Sequence, residues 1–311
     1  MIGVQVNRSE ILDQLVVVSH EVGNTPIQQL NSLFRKTGVR IFVKKEWEQL
    51  SGSVKIRAAY AIIKNAVETG KLDSDKILLD ATSGNTGIAY ASIGARTRIK
   101  VALCLPENAS PERKKILKDL GAELIYTSRF EGTDGAQLAA KELVAAFPNK
   151  YFYADQYANE NNWKAHYQTT AAEIIKDLPE ITHFVTGLGT TGTFVGTGRK
   201  LKELKPGIHL TALQPDSPMH GLEGWKHLET AIIPGIYDAA LPEQLLEINT
   251  DEAYELIRSA VRLEGLRLSP SSAANIAGAI KVAQKLDSGT VLTMLPDNAD
   301  KYKDVLDSLM E

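Results

Sequence analysis

The chain has 311 residues, 43% of them hydrophobic and 23% charged, and 35 Lys and Arg against 38 Asp and Glu give a net charge of −3. This is the balance of a soluble globular protein, with no basic excess to neutralise the phosphates of a nucleic acid. The single cysteine excludes an intramolecular disulfide and a multi-cysteine zinc site and suits a reducing cytoplasm, and no apolar run approaches the roughly 18 residues of a bilayer span.

The opening stretch, broken by Asn7, Arg8, Glu10 and Asp13, does not read as a secretory leader. Ser51-Gly52-Ser53-Val54-Lys55-Ile56-Arg57 leads into a helix with Ile56, Tyr60, Ile63 and Val67 on one face and Gly70 at its end. Lys76–Ala81 and Arg98–Leu105 read as buried strands. Ser110-Pro111-Glu112 opens a helix that Gly121 closes, and Ala122–Thr127 is the next strand. Helices are expected over Gly135–Ala146, Asn162–Leu178, Phe194–Leu204, Thr250–Glu264 (capped by Thr250) and Ser272–Leu286. Strands are expected over Tyr151–Asp155, His183–Thr186, Ile208–Gln214 and Thr290–Leu295. This alternation is that of α/β folds with parallel sheets covered by helices on both faces. There are too many units for one small sheet, so the chain is divided into two α/β lobes, 1–158 and 159–311.

Ligands in such folds sit at the carboxyl ends of strands, where loops meet helix N-termini. Three loops and a lysine stand out on that ground. Thr82-Ser83-Gly84-Asn85-Thr86-Gly87 follows a strand with hydroxyls, an amide and two glycines, suited to a carboxylate or phosphate; a plain turn with a cap is the alternative. Gly187-Leu188-Gly189-Thr190-Thr191-Gly192-Thr193 is a second anion cradle, and its threonines favour a phosphate monoester. Residues 187–192 also match G-x-G-x-x-G, with Asp216 beyond the next strand, which keeps a nicotinamide dinucleotide open. Lys55, in the first turn of its helix, faces the positive end of the dipole, which favours a neutral amine; an ordinary solvated lysine is the other reading. Asn298 follows the last strand and reads as a helix cap or a ligand contact.

Taken in order, and with Gly23-Asn24-Thr25-Pro26 before them, these motifs resemble the cysteine synthase (O-acetylserine sulfhydrylase) family of tryptophan-synthase-β-like pyridoxal phosphate (PLP) enzymes. The resemblance implies two lobes, each a twisted, mostly parallel sheet flanked by helices, with PLP in the cleft between them and part of the first ~45 residues packed on the second lobe. It implies that Lys55 forms the Schiff base with PLP and moves the α-proton. Thr82, Ser83, Asn85, Thr86 and Gln156 are then expected at the substrate carboxylate, with Asn85 also at the cofactor's ring hydroxyl. Gly189, Thr190, Thr191, Gly192 and Thr193 would hold the cofactor phosphate, and Asn298 would stand as a neutral partner at the pyridine nitrogen. The implied reaction replaces the β-substituent of O-acetyl-L-serine or O-phospho-L-serine with sulfide, through an aminoacrylate, giving L-cysteine. β-Elimination or another nucleophile is the alternative. A cytoplasmic homodimer is implied, and whether a serine acetyltransferase partners it is left open.

The sequence departs from the family pattern at three places. Gln49-Leu50 stands for Asn-Pro and Ile56 for the Asp after the lysine. Ser269-Pro270-Ser271-Ser272-Ala273 stands for G-I-S-S-G, where Pro270 is expected to change the turn. Met219–Glu229 replaces a glycine-rich stretch and carries Lys226, a cation suited to a phosphate leaving group or a plain surface lysine. His220 and His227 are expected to pack, and Cys104 to be a buried small hydrophobe.

Overall fold

The computed structural model describes residues 7–82 and 84–303. In chain order these form α1 (Arg8–Ser19), β1 (Ile27–Gln29), β2 (Val39–Lys45), α2 (Lys55–Glu68), β3 (Ile77–Ala81), α3 (Asn85–Thr97), β4 (Lys100–Pro106), α4 (Pro111–Asp119), β5 (Glu123–Thr127) and α5 (Gly132–Ala146). There follow β6 (Tyr151–Tyr153), α6 (Glu160–Ala165), α7 (Ala171–Asp177), β7 (His183–Gly187), α8 (Gly192–Leu204), β8 (His209–Pro215), β9 (Gln244–Ile248), α9 (Thr250–Glu264), α10 (Pro270–Gln284) and β10 (Gly289–Leu295). They group into two compact units. One holds the residues up to Val22 with Lys55–Asn162, the other Gly23–Val54 with the chain from Trp163 onward. Among the described residues no helix is long and apolar enough to cross a membrane.

The first unit is a four-stranded parallel sheet ordered β5-β4-β3-β6. Nearly every residue of β3 and β4 is buried, which is why these strands read as continuous apolar runs and not as alternation. Ala136 and Ala140 of α5 pack on Leu79, Ala81, Ala102 and Cys104, so the lone cysteine is core. α2 buries Ile56, Ile62, Ile63 and Val67, and Gly70 beyond its end has φ +71°. Because the strands run one way, the Thr82 loop after β3 and the Asp155-Gln156 turn after β6 emerge at the same edge.

The second unit has six strands ordered β1-β2-β10-β7-β8-β9, all parallel except β1. Side chains alternate across it. Val185, Leu213, Val291 and Leu295 share a core with α9 and α10, whereas Phe184, Leu210, Leu292 and Met294 face α7 and α8.

Several expected boundaries move. The helix expected over 162–178 is interrupted by a π turn, His166–Thr170, between α6 and α7. Asn249, not Thr250, caps α9, and its side chain accepts from the Asp251 and Glu252 amides. Pro270 makes no unusual turn: it opens α10, with Ser269 as the cap, because a proline at the first helical position gives up only an N–H that had no partner. The segment 23–54, for which no elements were expected, supplies β1 and β2.

Candidate functional site

Lys55 is the first residue of α2. The chain leading to it is fastened within the second unit. The Val54 amide donates to the Pro296 carbonyl at 2.8 Å, Ser53 bridges to Asp297, and the Lys301 ammonium donates to the Ser51 and Gly52 carbonyls. Ser51 and Gly52 both take positive φ, so the approach is a tight left-handed turn. Gln49, in place of the expected Asn, accepts from the Gly23 amide and donates to Glu46. Ile56 is fully buried, so an apolar contact stands where a polar one was expected.

In the first unit Thr82, Asn85, Thr86 and Gln156 are grouped at one sheet edge. Thr86 Oγ1 donates to Gln156 Oε1 at 2.7 Å, and Gln156 Nε2 donates to the Ala81 carbonyl at 3.1 Å. Thr82 Oγ1 accepts the Gly84 amide at 3.2 Å. Asn85 is the first residue of α3, and the preceding Gly84 offers no side-chain cap to that helix start. Ser83 lies outside the described residues.

In the second unit the chain runs from β7 through Gly187–Thr191 into α8. The Gly187 amide donates to Asn275 Oδ1 and the Leu188 amide to the Leu213 carbonyl, which pins the loop base. A Cβ on Gly189 would lie 2.1 Å from the Gly224 carbonyl, and one on Gly187 2.0 Å from the Trp225 ring, so both positions need glycine. Thr191 takes φ +70°, uncommon for a β-branched residue, and its buried hydroxyl has no hydrogen-bond partner in the protein. α8, like α3, α5 and α7, begins without a side-chain cap, whereas Asn7, Ser110, Asn249 and Ser269 cap their own helices. Thr193 Oγ1 pairs with His166 Nε2 at 3.3 Å, while His166 Nδ1 meets Thr170. That histidine escaped sequence reasoning because the π turn that aims it does not show in a helical repeat.

The Lys226 amide donates to the Leu188 carbonyl at 2.8 Å, which sets this lysine's backbone against the anion loop. Asn298 behaves as a cap: its side chain accepts the Asp300 amide and donates to the Asp300 carboxylate. Asp216, considered as a ribose partner, accepts from Asn249 at 2.8 Å. His220 accepts the Leu222 amide and His227 meets Thr230, both local packing roles.

Helix starts without side-chain caps that follow glycine- and threonine-rich loops, together with a lysine at a helix head, suit the binding of anionic groups. A family of pyridoxal-phosphate dependent enzymes matches residues 18–297. The chain is 42% identical over 289 residues to a cysteine synthase from Aquifex aeolicus, covering 90% of this chain and 88% of that one. Its fold is similar to a cysteine synthase (OASS) from Entamoeba histolytica, with TM-score 0.86, 32% identity and 94% of each chain covered. It is also similar to an O-acetylserine dependent cystathionine β-synthase from Helicobacter pylori, with TM-score 0.86, 33% identity, and 92% and 96% covered. The chain belongs to the cysteine synthase family of pyridoxal-phosphate dependent enzymes, and its cofactor is PLP. The residues present fit that group. The uncapped start of α8 and the partnerless Thr191 hydroxyl supply donors for a phosphate. This family replaces the dinucleotide reading of 187–192.

Proposed function

We propose that the protein makes L-cysteine by exchanging the β-substituent of an O-activated L-serine for sulfide. What carries the reading is that a chain so similar to a cysteine synthase also keeps Lys55 at the head of α2 and uncapped helix starts at both anion loops. PLP supplies an electron sink at the amino acid's Cα. Thr82, Ser83, Asn85, Thr86 and Gln156 receive the substrate carboxylate, helped by the positive end of α3. Asn85 also meets the cofactor's ring hydroxyl. Gly189, Thr190, Thr191, Gly192 and Thr193 grip the phosphate. Lys55 takes the proton from Cα and returns it when the thiol has added. Asn298 presents a neutral amide in place of a carboxylate side chain at the ring nitrogen. The protein acts as a cytoplasmic homodimer in this reading.

Incubating the purified holoenzyme with sulfide and either O-acetylserine or O-phosphoserine tests the reaction, with L-cysteine as the measured product. No cysteine from either donor overturns it. A product formed only with a larger thiol favours another nucleophile, the alternative prompted by the likeness to the Helicobacter enzyme. Lys226 decides the donor. With Lys226→Ala, kcat/KM for O-phosphoserine should fall about tenfold while that for O-acetylserine holds, the size of one charge-assisted contact. Equal losses, or none, remove the phosphate role.

A further inference from the structure

We propose that Asp80 is a positioning residue for substrate capture: its carboxylate holds Gln156, whose side-chain NH2 gives one proton to the Ala81 carbonyl and keeps the other for the amino acid's carboxylate. This rests on the carboxylate role given above to Thr86 and Gln156.

Asp80 is the penultimate residue of β3 and is fully buried. One carboxylate oxygen accepts the Ala81 amide at 2.8 Å and the other accepts the Gln156 amide at 3.3 Å. Asp80 therefore ties together the two segments that carry the candidate carboxylate site: the loop after β3 and the turn after β6. Gln156 is itself buried and held at every polar group. Its amide nitrogen donates to the Ala81 carbonyl, its amide oxygen accepts from Thr86, and its main-chain carbonyl accepts from Asn162 at 2.7 Å. The preceding residue, Asp155, takes φ +46°, an unfavourable backbone for a non-glycine residue. That turn presents the Gln156 N–H to Asp80, and the bond to a carboxylate offsets the strain.

A carboxylate is a costly anchor at this place. The groups facing it are Tyr90 on α3, Cys104 on β4, Tyr153 on β6, and Asp155 and Tyr157 in the turn beyond. None of these five carries a positive charge. Burial pushes the Asp80 carboxyl up to about 7, against the pull of the Ala81 amide, the Tyr90 hydroxyl and the Gln156 amide. Burial, then the Asp80 charge, pushes the Cys104 thiol up to about 11, and Tyr90, Tyr153 and Tyr157 are all raised. A fold that needed only an acceptor would be served by an asparagine oxygen. The carboxylate differs in that both oxygens accept at once, so it alone satisfies two amides from two segments. As pH rises through neutrality Asp80 ionises, both bonds strengthen, and Gln156 is locked for binding.

Asp80→Asn turns one acceptor into an N–H donor that faces the Gln156 amide. In the holoenzyme the expected result is a rise of about tenfold in KM for the amino-acid donor at pH 8, with kcat held within about twofold, since a capture residue acts on binding and not on the chemical step. The wild-type KM should fall as pH climbs from 6 to 8, and that dependence should vanish in the variant. A second readout needs no substrate. The buried carboxyl titrates above the 3.8 of an unfolded chain, so its contribution to stability is fully present below that pH. It is lost as pH rises through about 7. Wild-type thermal midpoints should therefore drop over that range relative to Asp80→Asn. An Asp80→Asn enzyme with wild-type KM and an unchanged pH dependence of KM overturns the proposal. The underlying reading fails separately, through a Gln156→Ala holoenzyme whose KM is also unchanged.

Discussion

Lys55→Ala is expected to cost about a thousandfold or more in turnover, because a positioned general base alone accounts for roughly 10²–10⁴ in rate and this amine is also assigned the bond to the cofactor. The same change should abolish the visible absorption band of that bond. Folding should survive. Alanine is the strongest helix former, Lys55 sits at a helix terminus, and the packing of α2 comes from Ile56, Ile62, Ile63 and Val67. Equal thermal midpoints for the variant and the wild type would show that the loss is chemical. A variant that stays yellow and makes cysteine would remove Lys55 from the mechanism.

Gly189→Ala should be nearly as damaging by a different route. Its new methyl would meet the Gly224 carbonyl at 2.1 Å, and backbone cannot swing aside as a side chain does. The loop must shift, and we expect PLP affinity to fall by about a hundredfold, equivalent to about 2.7 kcal/mol. Gly187→Ala meets a side chain instead, the Trp225 ring at 2.0 Å. Adding Trp225→Ala should therefore restore part of the affinity lost in Gly187→Ala and none of that lost in Gly189→Ala. Fluorescence titration of the apoenzymes with PLP reads all four. Wild-type affinity in Gly189→Ala would show that the loop does not hold the phosphate.

What the sequence made legible follows from how local each signal is. β3 and β4 are apolar on both faces, so their runs declare themselves without any knowledge of neighbours. β2 does not. Its Lys44 is wholly buried, which is acceptable only because Glu173 lies 2.8 Å away and the Thr25 carbonyl takes another of its protons. Both partners are distant in sequence, so nothing local shows that this lysine can be buried in a strand. The anion loops were legible because glycines and hydroxyls at helix starts have a meaning of their own. The groups that shape them were not. Trp225 closes on Gly187, and Asp80 reaches Gln156, through contacts that only the folded chain creates. Asn298 shows the converse: a cap is visible in sequence and is what the side chain does within the protein.

The neighbourhood of β2 and β10 governs how the polypeptide must be assembled. β2 emerges early from the ribosome, yet its parallel partner is Gly289–Leu295, near the other end of the chain. Until that stretch is made, β2 has only the three-residue β1 beside it, and an isolated two-stranded ribbon is marginal in water. Completion of the larger sheet is thus a late, long-range event, and nascent chains halted before Gly289 would present β2 and β7 as open edges prone to aggregation.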